Sequence, residues 1–278
     1  MNREQKESFR IYGDCHLSYP TVIVGWKNEI GKVADTVVES FLELLDLDVL
    51  ADLCLKDFYV FNGVAVGDDI INFPQSRFFS CPQANVLVFR GDVPDREPHQ
   101  YLETILDFMV EQCRSEEIWT VGGFVSTISH LSPRRVFATV TQPEYKSVLQ
   151  DLRVNTDVDY ETPPQGARPS LNHFLLWVAR RRGIAGYSLW VEVPFYLAGL
   201  KDPVGCKAIL EVLDSRFTLG LDFDVIDSQA REVNQRIQEL QSQNPDVNRS
   251  IQLLEQGLAL SKEEGETLVR EVARVLQQ

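Results

Sequence analysis

The run PTVIVGWKNEIGKVADTVVESFLELL, residues 20–45, constrains the fold more than any other stretch of this sequence. Its first part, Thr21 to Trp26, is an uninterrupted apolar run rich in β-branched residues, which is typical of a strand buried on both faces of a parallel sheet. A helix is predicted directly after it, because apolar residues recur at the spacing that forms one helical stripe: Ala34, Val37, Val38, Phe41, Leu42 and Leu45. Strand, short loop and amphipathic helix make the first half of a βαβ unit.

Strands and helices continue to alternate along most of the chain. Strands are predicted at Ile118 to Val121, ending in Gly122 and Gly123, and at Tyr187 to Val193, with amphipathic helical segments between the predicted strands. One Leu- and Asp-rich segment in this alternation, Leu47 to Leu55, is predicted as a short helix. The pattern predicts an α/β protein with a mostly parallel mixed sheet and helices on both of its faces.

The composition changes after about Asp224, where Gln, Glu, Asn and Arg become frequent and no strand pattern recurs. Three helices are predicted there, starting near Asp227, at Asn244 and at Ser261, the last with the S-x-x-E spacing of a capping box. Their apolar stripes are narrow, so these helices must pack on the main domain, on each other or on a partner. We therefore predict an α/β domain over residues 1–224 and a C-terminal helical extension over residues 225–278.

Charge and hydropathy exclude several classes of partner. The formal net charge is −14, whereas strong nucleic-acid binding needs clustered Lys and Arg side chains that neutralise phosphates. No stretch reaches the roughly 18 apolar residues of a membrane span, and the polar start MNREQKESFR lacks the apolar segment of a secretion signal. We expect a cytoplasmic protein with no nucleic-acid and no membrane partner.

The five cysteines form no C-x-x-C pair and are odd in number, so they are predicted to be reduced thiols and not a metal cage or a disulfide framework. Residues 25–31 match neither the phosphate loop G-x-x-x-x-G-K-[ST] nor G-x-G-x-x-G, and the sequence contains no G-x-S-x-G and no H-E-x-x-H. The four histidines lie far apart in the sequence. The residues therefore predict no catalytic site, no metal and no cofactor.

A ligand cleft is the alternative that the residues leave open. In open α/β sheets ligands bind beyond the carboxyl ends of strands, and two predicted strands end in glycine-containing loops. The candidate ligand-binding residues are the glycines and polar residues of these loops: Gly25, Asn28, Glu29, Gly31, Gly122, Gly123, Ser126 and His130. In an enzyme, Glu29 or His130 would carry the proton. The glycines have a second interpretation, which is that they permit tight turns and close helix packing.

Three segments together resemble a known family: VIVGWKNEIGKVADTVVESFLELL, EEIWTVGGFVSTISH and RRGIAGYSLWVEVPFYLAGLKDPVGCKAILEVL. They resemble the proteasome assembly chaperone family, in the bacterial and archaeal branch of its second chaperone type, over about Tyr19 to Leu221. The most specific part is Arg182 to Leu213, where a strand is followed by a set of polar, aromatic and proline positions: Glu192, Val193, Pro194, Tyr196, Leu197, Asp202 and Pro203. The resemblance implies a three-layer α/β/α sandwich of phosphorylase/hydrolase-like topology, a homo-oligomer, and a non-catalytic role in protein interaction and assembly.

Two functions follow from this reading. The first is a non-enzymatic assembly protein that contacts itself, as a trimer or a higher closed ring, and a further protein complex, through apolar surface that we expect at Phe78, Phe79, Trp190 and Phe195. The second is a small-molecule-binding protein or a hydrolase/phosphorylase-like enzyme that uses the strand-end cleft. Side chains such as Trp26 and Phe124 closing the cleft would favour the first function, and a convergent cluster of titratable groups would favour the second.

Overall fold

The computed structural model describes residues 8–27, 29–60, 65–67, 69–156 and 170–277. Ten strands are present in the described chain: β1 (Phe9–Ile11), β2 (Thr21–Trp26), β3 (Asp48–Leu53), β4 (Ala65–Gly67), β5 (Ile70–Asn72), β6 (Ser76–Cys81), β7 (Val86–Gly91), β8 (Glu117–Ser126), β9 (Val136–Val140) and β10 (Ala185–Pro194). Seven α-helices accompany them: α1 (Val33–Leu44), α2 (Pro98–Asp107), α3 (Leu171–Arg181), α4 (Pro203–Phe217), α5 (Asp224–Gln243), α6 (Pro245–Glu255) and α7 (Lys262–Leu276).

Eight of these strands form one mixed sheet in the order β1-β3-β6-β7-β2-β8-β10-β9. The four strands β7, β2, β8 and β10 run parallel to one another in the middle of the sheet. The strands on either side of this group, β6, β3 and β1 at one edge and β9 at the other, pair antiparallel. The middle strands are buried on both faces, which is why β2 reads as a continuous apolar run and not as an alternating one.

Helices cover the two faces of this sheet and complete a three-layer α/β/α sandwich. Strand β2 shows the division, because Ile23 lies in the core under α1 and α4, whereas Val22, Val24 and Trp26 lie in the core under α2 and α3. We call these the α1/α4 face and the α2/α3 face. The α/β class, the mixed sheet and the helical C-terminal part that the sequence predicts are therefore confirmed.

The helical tail packs on the α1/α4 face. Buried side chains of all three tail helices, among them Ile237, Ile251 and Leu268, belong to the same apolar core as β2 and α4. Two of the predicted caps are present: the Asn244 side chain accepts hydrogen bonds at the start of α6, and Ser261 and Glu264 form the capping box of α7. Helix α5 begins earlier than expected, at Asp224. The division into two domains remains a prediction, because the apolar core is continuous across it.

Three details of the sequence analysis are wrong. Residues 48–53 are strand β3 and not a helix, because backbone pairing with both β1 and β6 outweighs the local helical preference of a Leu- and Asp-rich segment. The strand that starts near Ile118 does not end at Gly122 and Gly123 but continues to Ser126, since β10 pairs with it along its whole length. Phe78 and Phe79 are buried, because β6 lies inside the sheet between β3 and β7.

Exposed apolar surface occurs instead on the β4–β5 hairpin. This hairpin is a separate two-stranded sheet, and Ile70, Ile71 and Phe73 in and beside β5 are 65%, 56% and 56% exposed. Trp190 and Phe195, the other two residues expected at the surface, are half-buried. Within the described ranges, no helix is both long enough and apolar enough to cross a membrane.

Candidate functional site

The loop after β2 crosses over the carboxyl end of β8 and fills the space expected for a cleft. Gly123 permits the crossing, because a Cβ atom there would lie 2.7 Å from the Ile30 carbonyl oxygen and 2.9 Å from Val193 Cγ2. Gly31 occupies the left-handed region with φ 65° and also lies against Val193. The loop is held on its far side by hydrogen bonds from the Gly31 amide to the Ala198 carbonyl and from the Asp202 amide to the Gly31 carbonyl.

Beside this crossing lies a group that we call the Glu29 cluster: Glu29, Trp26, Gly122 and Asn172. The Glu29 carboxylate occupies the place of a side chain at Gly122, where a Cβ atom would lie 2.6 Å from Oε2 of Glu29 and 3.1 Å from Nδ2 of Asn172. Asn172 in α3 accepts a 2.6 Å hydrogen bond from Trp26 Nε1 and donates a 3.0 Å bond to the Val121 carbonyl. This amide therefore ties α3 to the ends of β2 and β8.

Glu29 is the unusual member of this cluster. Burial raises the pKa of its carboxyl to about 8, so the group is mainly protonated at neutral pH. Among the residues that the structure describes, no side chain or backbone amide makes a hydrogen bond or an ion pair with this carboxyl. The Glu29 side chain is half-buried, and its oxygens are not among the fully buried polar atoms that lack a hydrogen-bond partner. A half-buried carboxyl with a raised pKa and no protein partner is a feature of ligand sites and of proton-transfer sites. Asn28, the neighbouring candidate, lies outside the described residues.

Gly25 has a packing role. A Cβ atom at this position would lie 2.7 Å from Val38 Cγ2 and 2.9 Å from the Ala34 carbonyl oxygen, both in α1. The absence of a side chain therefore lets α1 approach β2 closely, which agrees with the second interpretation of the glycines. Gly25 faces α1 and not the Glu29 carboxyl.

A second group surrounds His130, and we call it the His130 cluster: His130, Arg134, Tyr196 and Asp202. The His130 backbone amide donates a 2.6 Å hydrogen bond to the Tyr196 hydroxyl, and Nδ1 of the same residue lies 2.9 Å from that hydroxyl. Burial, together with the positive charge of Arg134, lowers the pKa of His130 to about 4, so its imidazole is neutral at pH 7. Arg134 makes a bidentate ion pair with Asp202, and each side chain is only 1% exposed.

Ser126 belongs to neither cluster. Its hydroxyl donates a 3.1 Å hydrogen bond to Glu192, which also accepts bonds of 2.7 and 2.6 Å from Arg135. Burial alone would raise the pKa of Glu192, but the bonds from Arg135 and Ser126 outweigh it and lower that pKa. This carboxylate is therefore ionised and fully paired.

The structure thus brings Glu29 and Gly122 together but keeps them apart from Ser126 and His130. In the described chain, His130 contacts Tyr196 and Arg134, Ser126 contacts Glu192, and neither contacts Glu29. The sequence analysis did not assign the partners in these contacts: Trp26 and Asn172 in the Glu29 cluster, Arg134, Tyr196 and Asp202 in the His130 cluster, and Arg135 and Glu192 beside Ser126. Glu192 had a readable signal, since it is the one acidic residue in the apolar strand β10.

The described residues contain no group of three or more His, Cys, Asp or Glu side chains that are placed to hold a metal ion. Trp26 is buried and Phe124 is half-buried against Phe137, so both side chains help to close the strand ends. At the strand ends, the Glu29 carboxyl can therefore exchange a proton, whereas the Asp202 and Glu192 carboxylates are each paired with an arginine.

Comparison with solved structures finds the same fold in several proteins. A Corynebacterium glutamicum protein of unknown function superposes with a TM-score of 0.74 at 18% identity, covering 90% of this chain and 96% of its own. A Mycobacterium tuberculosis protein of unknown function gives 0.76 at 16% identity, with 90% and 88% covered. PbaB of Pyrococcus furiosus, an archaeal proteasome activator, gives 0.68 at 22% identity, with 84% and 99% covered. The search of curated proteins gives no match.

The family comparison agrees with the residues that carried the resemblance. Three of them make polar contacts at the strand ends. Glu192 accepts a hydrogen bond from Arg135, Tyr196 accepts one from the His130 amide, and Asp202 accepts one from Arg134. The model of the PAC2 family matches residues 22–241, which is most of the chain and includes most of the first tail helix. This chain therefore belongs to the PAC2 family.

Proposed function

We propose that this chain is a non-enzymatic protein-interaction protein of the assembly-chaperone type, which acts as a homo-oligomer, most simply a trimer, and contacts another protein complex in the cytoplasm. The family membership supports this role, and so does the structural likeness to an archaeal proteasome activator. The filled strand ends point the same way, because the loop from Glu29 to Gly31 occupies the region where open α/β sheets bind small ligands.

The observation that carries the proposal is the exposed apolar surface in and beside β5, in the β4–β5 hairpin. Ile70, Ile71 and Phe73 are each more than half exposed, and a two-stranded hairpin on its own is marginally stable in water. Exposed apolar side chains that cluster on such an element mark a contact surface. We assign this surface to contacts between copies of the chain.

The test is the mass of the protein in solution. One chain has a mass of 31.7 kDa, and we expect light scattering at micromolar concentration to give a multiple of that value. The triple substitution Ile70→Ser, Ile71→Ser and Phe73→Ser should shift the protein to the monomer. A matched control changes three exposed apolar residues elsewhere to Ser, namely Val225, Leu258 and Val269, and should leave the mass unchanged. A monomeric wild-type protein, or equal effects of the two triple variants, would contradict the proposal.

We also propose that residues 225–278 are a docked extension and not an independent domain. Ile226, Ile237 and Leu240 of α5 are buried in the core shared with α4, so truncation after Asp224 should uncover apolar surface. The truncated protein is expected to melt at a lower temperature and to lose solubility. An unchanged melting temperature and an unchanged mass would mean that the tail is a separate appendage.

One observation favours a second function, a small-molecule-binding protein or a hydrolase/phosphorylase-like enzyme, and that observation is the isolated carboxyl of Glu29. If the protein has this second function, Glu29 hydrogen-bonds a small polar ligand beside Gly122 and Asn172 or exchanges a proton with it. Native mass spectrometry of the protein purified from its own cells should then show a bound small molecule that Glu29→Gln loses. The exposed Glu43→Gln serves as the control and should keep it. If native mass spectrometry shows only the mass of the protein itself, the result supports the first function.

A further inference from the structure

The outer side of α3 carries aromatic side chains that the fold does not bury. The inner side of this helix, which includes Leu175 and Val178, packs in the core of the α2/α3 face. Trp177 lies on the outer side, where an amphipathic helix ordinarily carries polar residues, and Phe174 beside it is half-buried. Trp177 is 47% exposed, whereas two of the other three tryptophans are buried and one is half-buried. Helix α3 therefore leaves aromatic surface in contact with water.

Three rings and two arginines form this surface, which we call the α3 aromatic patch: His99, Phe174, Trp177, Arg180 and Arg181. The ring centroid of Trp177 lies 5.8 Å from that of Phe174 and 6.0 Å from that of His99 in α2. The centroids of Phe174 and His99 are also 5.8 Å apart. The guanidinium carbon of Arg181 lies 4.9 Å from the centre of the Trp177 ring, which is within the range of a cation–π contact. The side chains of two packed helices therefore hold the exposed tryptophan in place.

The patch also carries positive charge without a counter-charge. Arg180 and Arg181 are exposed, and neither makes an ion pair with any residue that the structure describes. The nearby carboxylates of α2, Glu103 and Asp107, are engaged by the neighbouring Arg182 at 3.1 and 2.6 Å. The chain as a whole has a formal net charge of −14. Even so, two guanidinium groups at this patch are available to an anion from outside the chain.

We propose that the α3 aromatic patch binds an acidic segment of another protein. An apolar side chain of that segment packs on Trp177, and its carboxylates pair with Arg180 and Arg181. Tryptophan and arginine are among the residues that dominate the binding energy of protein interfaces, and arginine clusters recognise acidic motifs. The proposal rests on the proposed function, because it names the chemistry of the other protein complex that this chain contacts.

Two other occupants fit the charge of the patch less well. A two-fold contact between copies of the chain would place Arg180 and Arg181 against their own counterparts, and like charges repel. A single-stranded nucleic acid can stack its bases on aromatic rings, but its phosphates would meet only two free guanidinium groups on a protein with a net charge of −14. The charge distribution therefore favours an acidic protein segment.

The experiment titrates the full-length protein with three synthetic peptides that share their leucine residues and carry glutamate, glutamine or lysine between them. Binding is followed by tryptophan fluorescence, and Trp177→Phe identifies the part of the signal that belongs to Trp177. We expect the glutamate peptide to bind most tightly, to shift the emission of Trp177, and to bind more weakly as the salt concentration rises. Equal binding of the three peptides, or tighter binding of the lysine peptide or of oligothymidylate, would overturn the proposal.

Two variants separate the effect of the ring from that of the charges. Trp177→Ala should weaken binding of the glutamate peptide by about 20-fold or more, and Arg180→Glu should remove the preference for that peptide over the lysine peptide. The matched controls are Leu258→Ala, at an apolar residue that is 49% exposed, and Arg231→Glu, at an exposed arginine of α5. Both controls should bind as the wild type does. The comparison of the three peptides uses the wild-type protein, so it does not depend on the folding of any variant.

The mass of the protein in solution separates this proposal from the proposed homo-oligomer. The triple substitution of Ile70, Ile71 and Phe73 should change the mass and keep the binding of the glutamate peptide, whereas Trp177→Ala should lose the binding and keep the mass. A monomeric wild-type protein that binds the peptide would contradict the homo-oligomer alone. An oligomeric wild-type protein that does not bind it would contradict the role of the patch alone. A monomeric Trp177→Ala protein would show that the patch joins copies of the chain, and would overturn the proposal.

Discussion

The two polar clusters at the strand ends are neighbours in the fold but differ in how their buried groups are satisfied. In the His130 cluster each buried polar group has a partner: His130 with Tyr196, and Arg134 with Asp202. In the Glu29 cluster the Trp26 indole and the Asn172 amide are paired, but the described chain offers no partner to the Glu29 carboxyl. A satisfied buried network specifies a structure, whereas a half-buried carboxyl without a protein partner can exchange a proton or bind a ligand. The difference indicates that His130 is structural and that Glu29 is the residue to test for chemistry.

The largest effect is expected from breaking the ion pair of the His130 cluster. Arg134→Ala leaves the Asp202 carboxylate buried without its partner, which should lower the free energy of unfolding by about 3–5 kcal/mol. Arg182→Ala is the matched control, because this arginine pairs with Glu103 and Asp107 at the surface and should cost about 1 kcal/mol or less. Urea denaturation of both variants measures the difference. Similar losses of unfolding free energy in the two variants would show that the buried ion pair stabilises the protein no more than the surface pair does.

The Glu29 carboxyl should make stability fall as the pH rises. The unfolded chain releases this proton near pH 4.5 and the folded chain near pH 8, so between these values the folded state binds more protons. The stabilisation is complete below pH 4.5, decreases as the pH rises from 4.5 towards 8, and is fully lost above pH 8. Glu29→Gln should therefore be more stable than the wild type at pH 9, by on the order of 2–4 kcal/mol, and equal to it at pH 4. If the free energy of unfolding depends on pH in the same way in both proteins, the pKa of Glu29 is not raised by the fold.

Because the loop crosses β8 at Gly123, alanine should destabilise the protein differently at the two adjacent glycines of this strand. Gly123→Ala places a methyl group against the Ile30 backbone carbonyl, which cannot move away, and should cost about 1–3 kcal/mol. Gly122→Ala meets the ends of the Glu29 and Asn172 side chains, which can rotate, and should cost less than Gly123→Ala. Melting temperatures of the two variants test this order, and the reverse order would mean that Glu29 is held more firmly than the loop.

The smallest effect is expected at His130, with a sign opposite to that of Glu29. The unfolded chain binds a proton at the ordinary pKa of 6.5, and the folded chain only near pH 4, so stability falls as the pH decreases through this window. Between pH 7 and pH 5 the wild type should lose about 1–2 kcal/mol relative to His130→Gln. Denaturation curves at the two pH values measure the loss. A constant difference between the proteins would show that His130 does not titrate in this range.

The sequence predicts the elements of this fold better than it predicts the contacts at its strand ends. Strand β2, helix α1 and the caps at Asn244 and Ser261 follow from local spacing, which is the information that periodicity and capping rules contain. The helix predicted over Leu47 to Leu55 is wrong, because the pairing of residues 48–53 with β1 and β6 is not a local property of the sequence. The sequence also singles out the Gly122–Gly123 pair, but only the structure shows that a loop crosses there.

The clusters themselves could not be assembled from spacing. Trp26 and Asn172 are 146 positions apart, and Arg134 and Asp202 are 68 apart. Nothing local in the sequence joins such pairs, because the order of strands in the sheet decides which loops become neighbours. Outside the two clusters, Glu192 is a residue that the sequence does point to, because an acidic residue within an apolar strand indicates a paired carboxylate.

The strand order also determines when each strand can pair with its neighbours during synthesis on the ribosome. Strand β8 pairs with β10 from Glu117–Ala185 to Ser126–Pro194, although β9 and α3 are made between them. While β2 finds β7 early, one edge of β8 has no partner until translation reaches residue 194. A nascent chain of intermediate length therefore carries a long unpaired strand edge, the kind of edge that recruits other chains and promotes aggregation. Slow translation between residues 127 and 184 would prolong this exposure, and the yield of native protein should depend on the speed of elongation through that interval.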